Sequence, residues 1–528
     1  MRNQKKNRIV NMLKIIFAVT FLNFLPSFAQ ADARVMNAGE AKGQLVFLTS
    51  TDIETRSPKF LGLTPLSIPV FEQLPVELAV VAGAITMQQQ NLLSHVQLKS
   101  RARKTPNLDI SELAGGMSSD LLKTFKDGDW IHMLLEKDGR IVLEASNEAD
   151  AVAFAKTKRM EPIKLQADFT DKRIFNTSEN GWQDFVKIGS KGANYAELFK
   201  VLNTADRVVV RPGFAVPFYY YQEFIEMNPD IKTAIHKVLI DPLMKKVSKV
   251  EYREQKLKAL RDMIQSDQSK INPVLVDELI RRMDLEKDSD GLPRKFKLRS
   301  STNAEDLPNF NGAGLYSSLT YKPYKKDKEI SREAKLVAVK KAMRLVWSSI
   351  WNYKAFEERS YFEIPHEEVA MGIQIKPSFS NEEVDGVLVT KNIAKDPKLK
   401  GPGVYFEAQR GDEYGVANPK SGDRPERILV LYDEANPLDQ TAYRIHVLSK
   451  SNIADDKKTV LANDNPSPIM SDAEIKDLIA LALKAHIQFK PTVGENAADF
   501  ALDLEFKVDT KDTGNRRIYY EQARPYIE

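Results

Sequence analysis

Two segments near the end of the chain, "ALDLEFKVD" at 501–509 and "RIYYEQARP" at 517–525, alternate apolar and polar residues. Such alternation is typical of β-strands that bury one face, because successive side chains of a strand point to opposite faces. If the two strands pair as a hairpin, Asp503 and Glu505 share one face with Gln522 and Arg524. The sequence therefore predicts a sheet with two carboxylates, an amide and a guanidinium on one surface.

This set of side chains suits a particular chemistry. Hard oxygen ligands bind Mg²⁺, and a guanidinium binds the phosphate groups that Mg²⁺ bridges. The hairpin alone is equally compatible with a solvated polar face that binds nothing.

The composition indicates a multidomain globular protein. A chain of 528 residues is too long for one core, and 42% hydrophobic with 28% charged residues argues against disorder. A net charge of +4 with evenly spread signs argues against a dedicated nucleic-acid binder. The absence of cysteine excludes disulfides, thiolate metal sites and cysteine nucleophiles.

The first 31 residues read as a secretory signal peptide. Basic residues precede the short apolar run "IIFAVTFLNFL", and small residues follow in "PSFAQADA". The apolar run is shorter than the ~20 residues that span a bilayer. We therefore expect an exported protein, periplasmic or secreted, without a membrane span after signal removal; an uncleaved N-terminal anchor is the alternative.

The remaining chain predicts an α/β (α+β) fold in two domains. Short strands and helices alternate in a small domain at 32–166, with strand-like runs that include 77–86. A polar linker at 167–182 precedes a larger domain at 183–528. There, 208–210 reads as a strand and 232–284 as helical.

Two further stretches of the larger domain could bind phosphate. In "KIGSKGANYAEL", Lys191 and Gly192 stand at the start of a helix, where backbone amides favour an anion; a simple turn is the alternative. In "LRSSTNAEDLPNFNGAGLYSS", Arg299 ends a strand and Gly314 lies in a loop that could close over a ligand; alone, it reads as a surface loop.

Together, these motifs resemble the ATP-grasp-type nucleotide domain of the family of phosphoenolpyruvate synthase, pyruvate phosphate dikinase and glucan, water dikinase. The resemblance covers about 183–528, and "GSKGAN", "LRSSTNAED" and "QARP" occur in the family's order. "RPGF", "VWSSIWNYKAFEER" and "IPHEEVAMGI" match segments between them, and "GAGLYSS" is most similar to the glucan dikinase loop.

The resemblance implies ATP and Mg²⁺ as ligands. The residues that it assigns to the nucleotide are Lys191, Gly192, Arg299, Gly314, Ile375, Lys376, Glu407 and Arg524. The residues that it assigns to Mg²⁺ are Glu505, Gln522 and Asp503. Lysine at 376 departs from the family, in which this adenine-lining strand commonly carries glutamine.

The family also implies a role for the smaller domain. Its members carry a phosphoryl group on a histidine in a motif similar to "SHVQLKSRARKTP", where Ser94 and His95 precede Arg101. A neutral imidazole is a competent nucleophile near pH 7, and Arg101 could orient the phosphate. The order of the domains is that of the glucan dikinases. The alternative is a helix-capping serine followed by an exposed histidine.

The resemblance thus predicts a dikinase-like phosphotransferase with His95, Arg101 and Arg299 as catalytic residues. The acceptor is unidentified, and a glucan is a candidate only by analogy. Two alternatives stay open: an exported nucleotide-binding module without activity, and a small-molecule kinase that does not use His95. The sequence does not indicate an oligomeric state.

Overall fold

The computed structural model describes residues 33–75, 78–90, 92–93, 95–158, 163–246, 249–288, 291–307, 310, 312, 314–325, 328–379, 382–394, 396–411, 416, 423–455, 467–489, 500–510 and 514–526. The predicted signal peptide lies outside the described residues. Within the described part of the chain, no helix is long and apolar enough to cross a membrane.

The chain divides into two compact units. The first consists of residues 1–74, 81–90 and 104–158, and the second of 75–80, 91–103 and 159–528. The larger unit therefore includes two short segments that the sequence assigned to the small domain. One of them, 91–103, carries the candidate phosphocarrier histidine.

The first unit is built on a seven-stranded sheet in the order β1-β5-β4-β3-β2-β6-β7, whose β2 to β5 are parallel. Its core includes Leu45, Ile68 and Ile131. The strands are β1 (Arg34–Asn37), β2 (Gly39–Leu48), β3 (Ser67–Phe71), β4 (Ala84–Thr86), β5 (Asn107–Asp109), β6 (Trp130–Leu135) and β7 (Ile141–Ala145). The helices are α1 (Ser50–Glu54), α2 (Pro58–Leu61) and α4 (Glu148–Thr157), whereas α3 (His95–Ala102) belongs to the second unit.

The second unit contains a five-stranded sheet in the order β11-β10-β14-β9-β8. Alternation along its strands sends Leu298, Ile373 and Ile375 into an apolar core with the helices. The opposite face carries polar side chains. The strands are β8 (Phe175–Asn176), β9 (Phe214–Val216), β10 (Phe296–Thr302), β11 (Leu319–Tyr321) and β14 (Met371–Pro377); β12 (Tyr324–Lys325) and β13 (Lys328–Glu329) pair separately.

A six-stranded antiparallel sheet in the order β18-β17-β16-β15-β19-β20 completes the second unit. One face packs Leu504 and Phe406 against helices, through Leu198 and Leu478. The other face carries the carboxylates of the predicted hairpin. The strands are β15 (Val384–Val389), β16 (Gly403–Arg410), β17 (Glu426–Leu431), β18 (Arg444–Ser449), β19 (Leu502–Asp509) and β20 (Arg517–Pro525).

The helices of the second unit cover the buried faces of these sheets. Besides α3, they are α5 (Phe185–Ile188), α6 (Ser190–Leu202), α7 (Phe218–Met227), α8 (Pro229–Ile240), α9 (Val250–Gln265), α10 (Pro273–Asp284), α11 (Arg332–Ser348), α12 (Tyr353–Tyr361) and α13 (Asp472–Gln488). The mixed helices and sheets confirm the predicted α+β class.

Several local predictions need correction. In the stretch predicted at 77–86, of which 78–86 are described, the strand is confined to 84–86, because the carbonyls of Leu78 and Ala79 instead accept hydrogen bonds from Arg103. The stretch 208–210 is not a strand, because the amides of Val209 and Val210 donate to a side chain, Asn203. The described residues of 232–284 are mainly helical, as predicted, and are divided among α8, α9 and α10. The predicted linker contributes the edge strand β8.

Candidate active site

The closing strands pair as the sequence predicts. In the antiparallel register of β19 and β20, Asp503 stands opposite Arg524 and Glu505 opposite Gln522. The four side chains therefore share one face of the six-stranded sheet. Arg524 Nε donates to Asp503 Oδ2 at 2.8 Å, and both residues are buried.

Strand β10 of the other sheet brings Arg299 to this face. Its Nη2 donates to Gln522 Oε1 at 2.7 Å and lies 3.7 Å from Glu505 Oε2. Residues 299 and 505 are distant in sequence, so the packing of the two sheets creates this pair. The guanidinium is 14% exposed, which leaves it accessible to a ligand.

The start of α6 is fixed tightly against β10. Ser301 Oγ accepts from the Gly192 amide at 2.8 Å and donates to the Ile188 carbonyl at 2.6 Å. Gly189 has φ +82°, and a Cβ there would lie 2.3 Å from the Ser301 carbonyl carbon. Only glycine fits this position. The N-terminal turn of α6 is thereby held beside Arg299.

The side chain of Lys191 extends from this turn toward Glu305. Its Nζ lies 2.9 Å from Glu305 Oε1 and 3.5 Å from Ser300 Oγ. The carboxylate neutralises the cation that the sequence assigned to phosphate. The next residue, Asp306, has a backbone φ of +54°. Burial, reinforced by the charge of Glu305, raises the pKa of Asp306 to about 7.

Four cations act on Glu505. Burial opposes ionisation of its carboxyl, but the surrounding positive charges outweigh burial and lower its pKa to about 2. These charges belong to four residues, here called the cationic cluster: Arg299, Arg524, Lys376 and Lys191. Around Arg524 burial disfavours the charge, but the neighbouring carboxylates of Asp503, Asp306 and Glu505 raise its pKa. Three of the four cations are also paired with another carboxylate: Lys191 with Glu305, Lys376 with Glu521 and Arg524 with Asp503.

Strand β14 separates the predicted pair Ile375 and Lys376. Ile375 is fully buried in the apolar core, so its side chain cannot line the polar face. Lys376 is on that face, where its Nζ donates to the Glu521 carbonyl at 2.6 Å and lies 2.8 Å from Glu521 Oε1. Burial lowers the pKa of Lys376 to about 7, against the opposing charge of Glu521.

Gln374 is a site residue that the sequence reasoning missed. It stands directly opposite Arg299 in the β10–β14 register and is 3% exposed. Neither its Nε2 nor its Oε1 has a hydrogen-bond partner among the described residues. A buried amide without partners fits a ligand in this position. The glutamine that the family places on this strand could have drawn attention to it, two positions from Lys376.

Glu407 lies in the same sheet face. Across β16, β15 and β19, Glu407 stands opposite Val387, which stands opposite Glu505. Tyr405 donates to Glu407 Oε1 at 2.7 Å. Burial raises the pKa of Glu407 to about 7, opposed in part by Tyr405, by the charge of Arg427 and by the backbone amides of residues 92 and 93.

Residues 92 and 93 precede the candidate phosphocarrier. Leu93 packs with Tyr405 and Tyr526, and helix α3 begins at His95. Ser94 and the side chain of His95 lie outside the described residues. Arg101, predicted to orient phosphate, is buried with its guanidinium 5.5 Å from the centre of the Tyr526 ring.

The remaining predicted residues concern the loop and the metal. Gly314 is exposed with φ +73°. No group of three or more His, Asp or Glu side chains is arranged to hold a metal in the described part of the chain. Glu505, one-third exposed, and Gln522 nevertheless fit Mg²⁺, which takes one or two protein ligands and completes its shell with phosphates and water. Asp503 fits less well, because Arg524 engages its Oδ2.

Comparison with known proteins agrees with this geometry. The family model of the AMP/ATP-binding domain of pyruvate phosphate dikinase matches residues 186–527. No curated protein matches the chain.

Proposed function

Because the chain belongs to the family defined by the AMP/ATP-binding domain of pyruvate phosphate dikinase, we propose that it transfers a phosphoryl group from ATP through His95 to an acceptor still to be identified. The family indicates an ATP/AMP-binding, dikinase-type phosphotransferase. Passage through His95, dependence on Mg²⁺ and the individual roles below are parts of the proposal.

The observation that carries the proposal is the position of the segment before His95. The backbone amides of residues 92 and 93 adjoin Glu407, which shares a row of the sheet with Glu505. Two strand spacings separate Glu407 from Glu505, or about 10 Å. The segment that leads into α3 therefore adjoins the sheet row that also carries Glu505.

In the proposed step, an imidazole nitrogen of His95 attacks a phosphorus atom of ATP. A nitrogen–phosphorus bond forms, a phosphoanhydride P–O bond breaks, and the imidazole proton passes to solvent. If the γ-phosphorus is attacked, ADP leaves and a phosphohistidine remains. If the β-phosphorus is attacked, AMP leaves and a pyrophosphohistidine remains, whose γ-phosphoryl group then passes to water as orthophosphate. A hydroxyl of the acceptor finally attacks the phosphohistidine, the N–P bond breaks, and the hydroxyl proton is released as the imidazole takes up a proton and becomes neutral again.

The chain's own residues supply positioning and charge, which dominate catalysis of phosphoryl transfer. Lys191 and Arg299 neutralise phosphate oxygens, and the positive end of the α6 dipole favours the phosphates. The Gly192 amide takes no part in this, because it already donates to Ser301 Oγ. Arg524 stays paired with Asp503 and adds to the positive field. Gln374 offers its unpartnered amide to the nucleotide.

Glu505 and Gln522 would hold Mg²⁺, which supplies charge neutralisation of the polyphosphate when bound. The low pKa of Glu505 keeps it ionised for this purpose. Gln522 first has to share its Oε1 with Arg299.

The test uses purified protein with Mg²⁺ and ATP labelled separately in the β- and γ-phosphates. We expect acid-labile label on the wild-type protein and none on His95→Ala, and the labelled position identifies the phosphate carried. Absence of label despite ATP binding would refute the relay and favour a binding module. ATP-dependent phosphorylation of a small molecule that persists in His95→Ala would indicate a direct kinase.

We also propose that the protein is exported. Support comes from the basic and apolar segments at 1–31. Fractionation of the source cells, followed by N-terminal sequencing, should find a chain that begins near residue 32. A cytoplasmic chain that retains Met1 would refute export, and a membrane-bound chain with Met1 would indicate the anchor.

A further inference from the structure

Helix α3 is attached to the rest of the second unit by buried ion pairs at its C-terminal end. Glu358 of α12 accepts from Lys99 Nζ at 3.1 Å and from Arg103 Nη2. The side chains of Lys99 and Arg103 are 2% exposed, and that of Glu358 is 4% exposed. One carboxylate thus receives two cations from one short segment.

Arg103 also fixes the direction of this segment. Its Nη1 donates to the carbonyls of Leu78 at 3.1 Å and Ala79 at 2.7 Å, while Nη2 reaches Glu358. A planar guanidinium that satisfies three acceptors has little rotational freedom. The backbone at 103 is therefore oriented as well as attached.

The other end of the segment is held by different contacts. Leu93 is fully buried among Tyr405 and Tyr526, and Arg101 lies over the Tyr526 ring. The backbone amides of residues 92 and 93 also donate to the buried carboxylate of Glu407, so the segment is held on both sides of position 95. Lys99 lies one helical turn after position 95, so its ion pair with Glu358 attaches α3 within one turn of the histidine.

We propose that Glu358 is a positioning residue for phosphoryl transfer: it seats α3 so that position 95 meets the phosphates held by the cationic cluster. This inference rests on the proposed function. Glu358 acts through Lys99 and Arg103, to which it is hydrogen-bonded. A displacement of about 1 Å suffices to slow such a step by about 100-fold.

The neighbouring residue provides a matched control. Glu357 is on the same helix and also forms an ion pair, with Nε of Arg253 at 2.7 Å. Arg253 belongs to α9 and also donates to the Lys246 carbonyl. Glu357→Gln therefore removes a comparable carboxylate from α12 without releasing α3.

The experiment compares single-turnover labelling of His95 by ATP in wild type, Glu358→Gln and Glu357→Gln, together with the ATP dissociation constant. We expect labelling about 10- to 100-fold slower in Glu358→Gln, near-normal labelling in Glu357→Gln, and unchanged ATP affinity in both. Lys99→Gln combined with Arg103→Gln should reproduce the defect, and adding Glu358→Gln should then have little further effect. Equal rates in wild type and Glu358→Gln would overturn the inference.

Hydrogen exchange of the α3 amides separates this inference from the proposed function and guards against misfolding. In Glu358→Gln, the amides of 95–103 should exchange faster than in wild type, and the amides of β19 and β20 should exchange at the wild-type rate. If wild type is never labelled, the proposed function fails, and Glu358 then has no role in phosphoryl transfer. Faster exchange of the α3 amides in Glu358→Gln would still show that Glu358 attaches the helix. If wild type is labelled but exchange at 95–103 does not change, Glu358 does not seat the helix.

Discussion

Lys376 of β14 and Glu521 of β20 form a buried ion pair between the two sheets of the second unit, with Nζ 2.8 Å from Oε1. The side chains are 1% and 9% exposed. Lys376 Nζ also donates to the Glu521 carbonyl, so the pair joins side chain and backbone across the site.

Removal of one partner should destabilise the fold. Lys376→Met leaves Glu521 buried without its cation, and we expect a loss of about 3–5 kcal/mol in the free energy of unfolding. The double variant with Glu521→Gln should recover most of this loss, because no unpaired charge remains. Urea unfolding measures both; a double variant as unstable as the single one would show that the charge is not the cause.

Glu305 should compete with nucleotide for Lys191. The carboxylate lies 2.9 Å from the lysine Nζ, so ATP has to displace it or share the cation. We expect Glu305→Gln to bind ATP several-fold more tightly and Lys191→Met to bind it about 10-fold more weakly, as for one charge-assisted hydrogen bond. Calorimetric titration measures both constants. Weaker binding by Glu305→Gln would instead place this carboxylate among the nucleotide ligands.

Arg299 should matter more for transfer than for folding. Its guanidinium reaches Gln522 and Glu505 at the surface of the cluster. We expect Arg299→Met to slow labelling of His95 by about 100-fold or more, the size of effect seen when one preorganised donor is lost. Lys295→Met, immediately before β10, is the control, because Lys295 lies over the Tyr324 ring and is not a member of the cationic cluster. Equal effects of the two variants would contradict a specific role.

Glu407 should make stability depend on pH. Its folded-state pKa is about 7, above the ordinary value of 4.5. As pH rises, the unfolded chain therefore loses this proton at a lower pH than the folded chain. The stability that the protonated carboxyl contributes is fully present below about pH 4.5 and is lost between about pH 4.5 and about pH 7. Glu407→Gln should be more stable than wild type at about pH 8 by about 1–3 kcal/mol, and equal to it near pH 4. Exposed Glu434→Gln should show no such trend in urea unfolding.

The closing hairpin was predictable because its information is local. Alternation along 501–509 and 517–525 defines which side chains share a face, and the observed register places Glu505 opposite Gln522 as that pattern requires. The same reasoning failed at 77–86 and 208–210. There, side chains of Arg103 and Asn203 take backbone groups that a strand would have used, and no periodicity within the segment records such competition.

The family relationship was likewise readable from short motifs in order, and the family model confirms it over 186–527. The motifs did not reveal how the charges are balanced. Gln374 escaped notice because its significance depends on standing opposite Arg299 without a partner, which is a property of the β10–β14 register.

By itself, the sequence determined the strands of the hairpin, the cations of the phosphate-binding motifs and the family to which they belong. Only the tertiary structure decided that Lys191 meets Glu305, that Lys376 meets Glu521, and that residues 91–103 join the larger unit through Glu358. The physical reason is range. Alternation and helix starts are set by residues a few positions apart, whereas a buried charge finds its partner only when segments far apart in the chain pack together and exclude water.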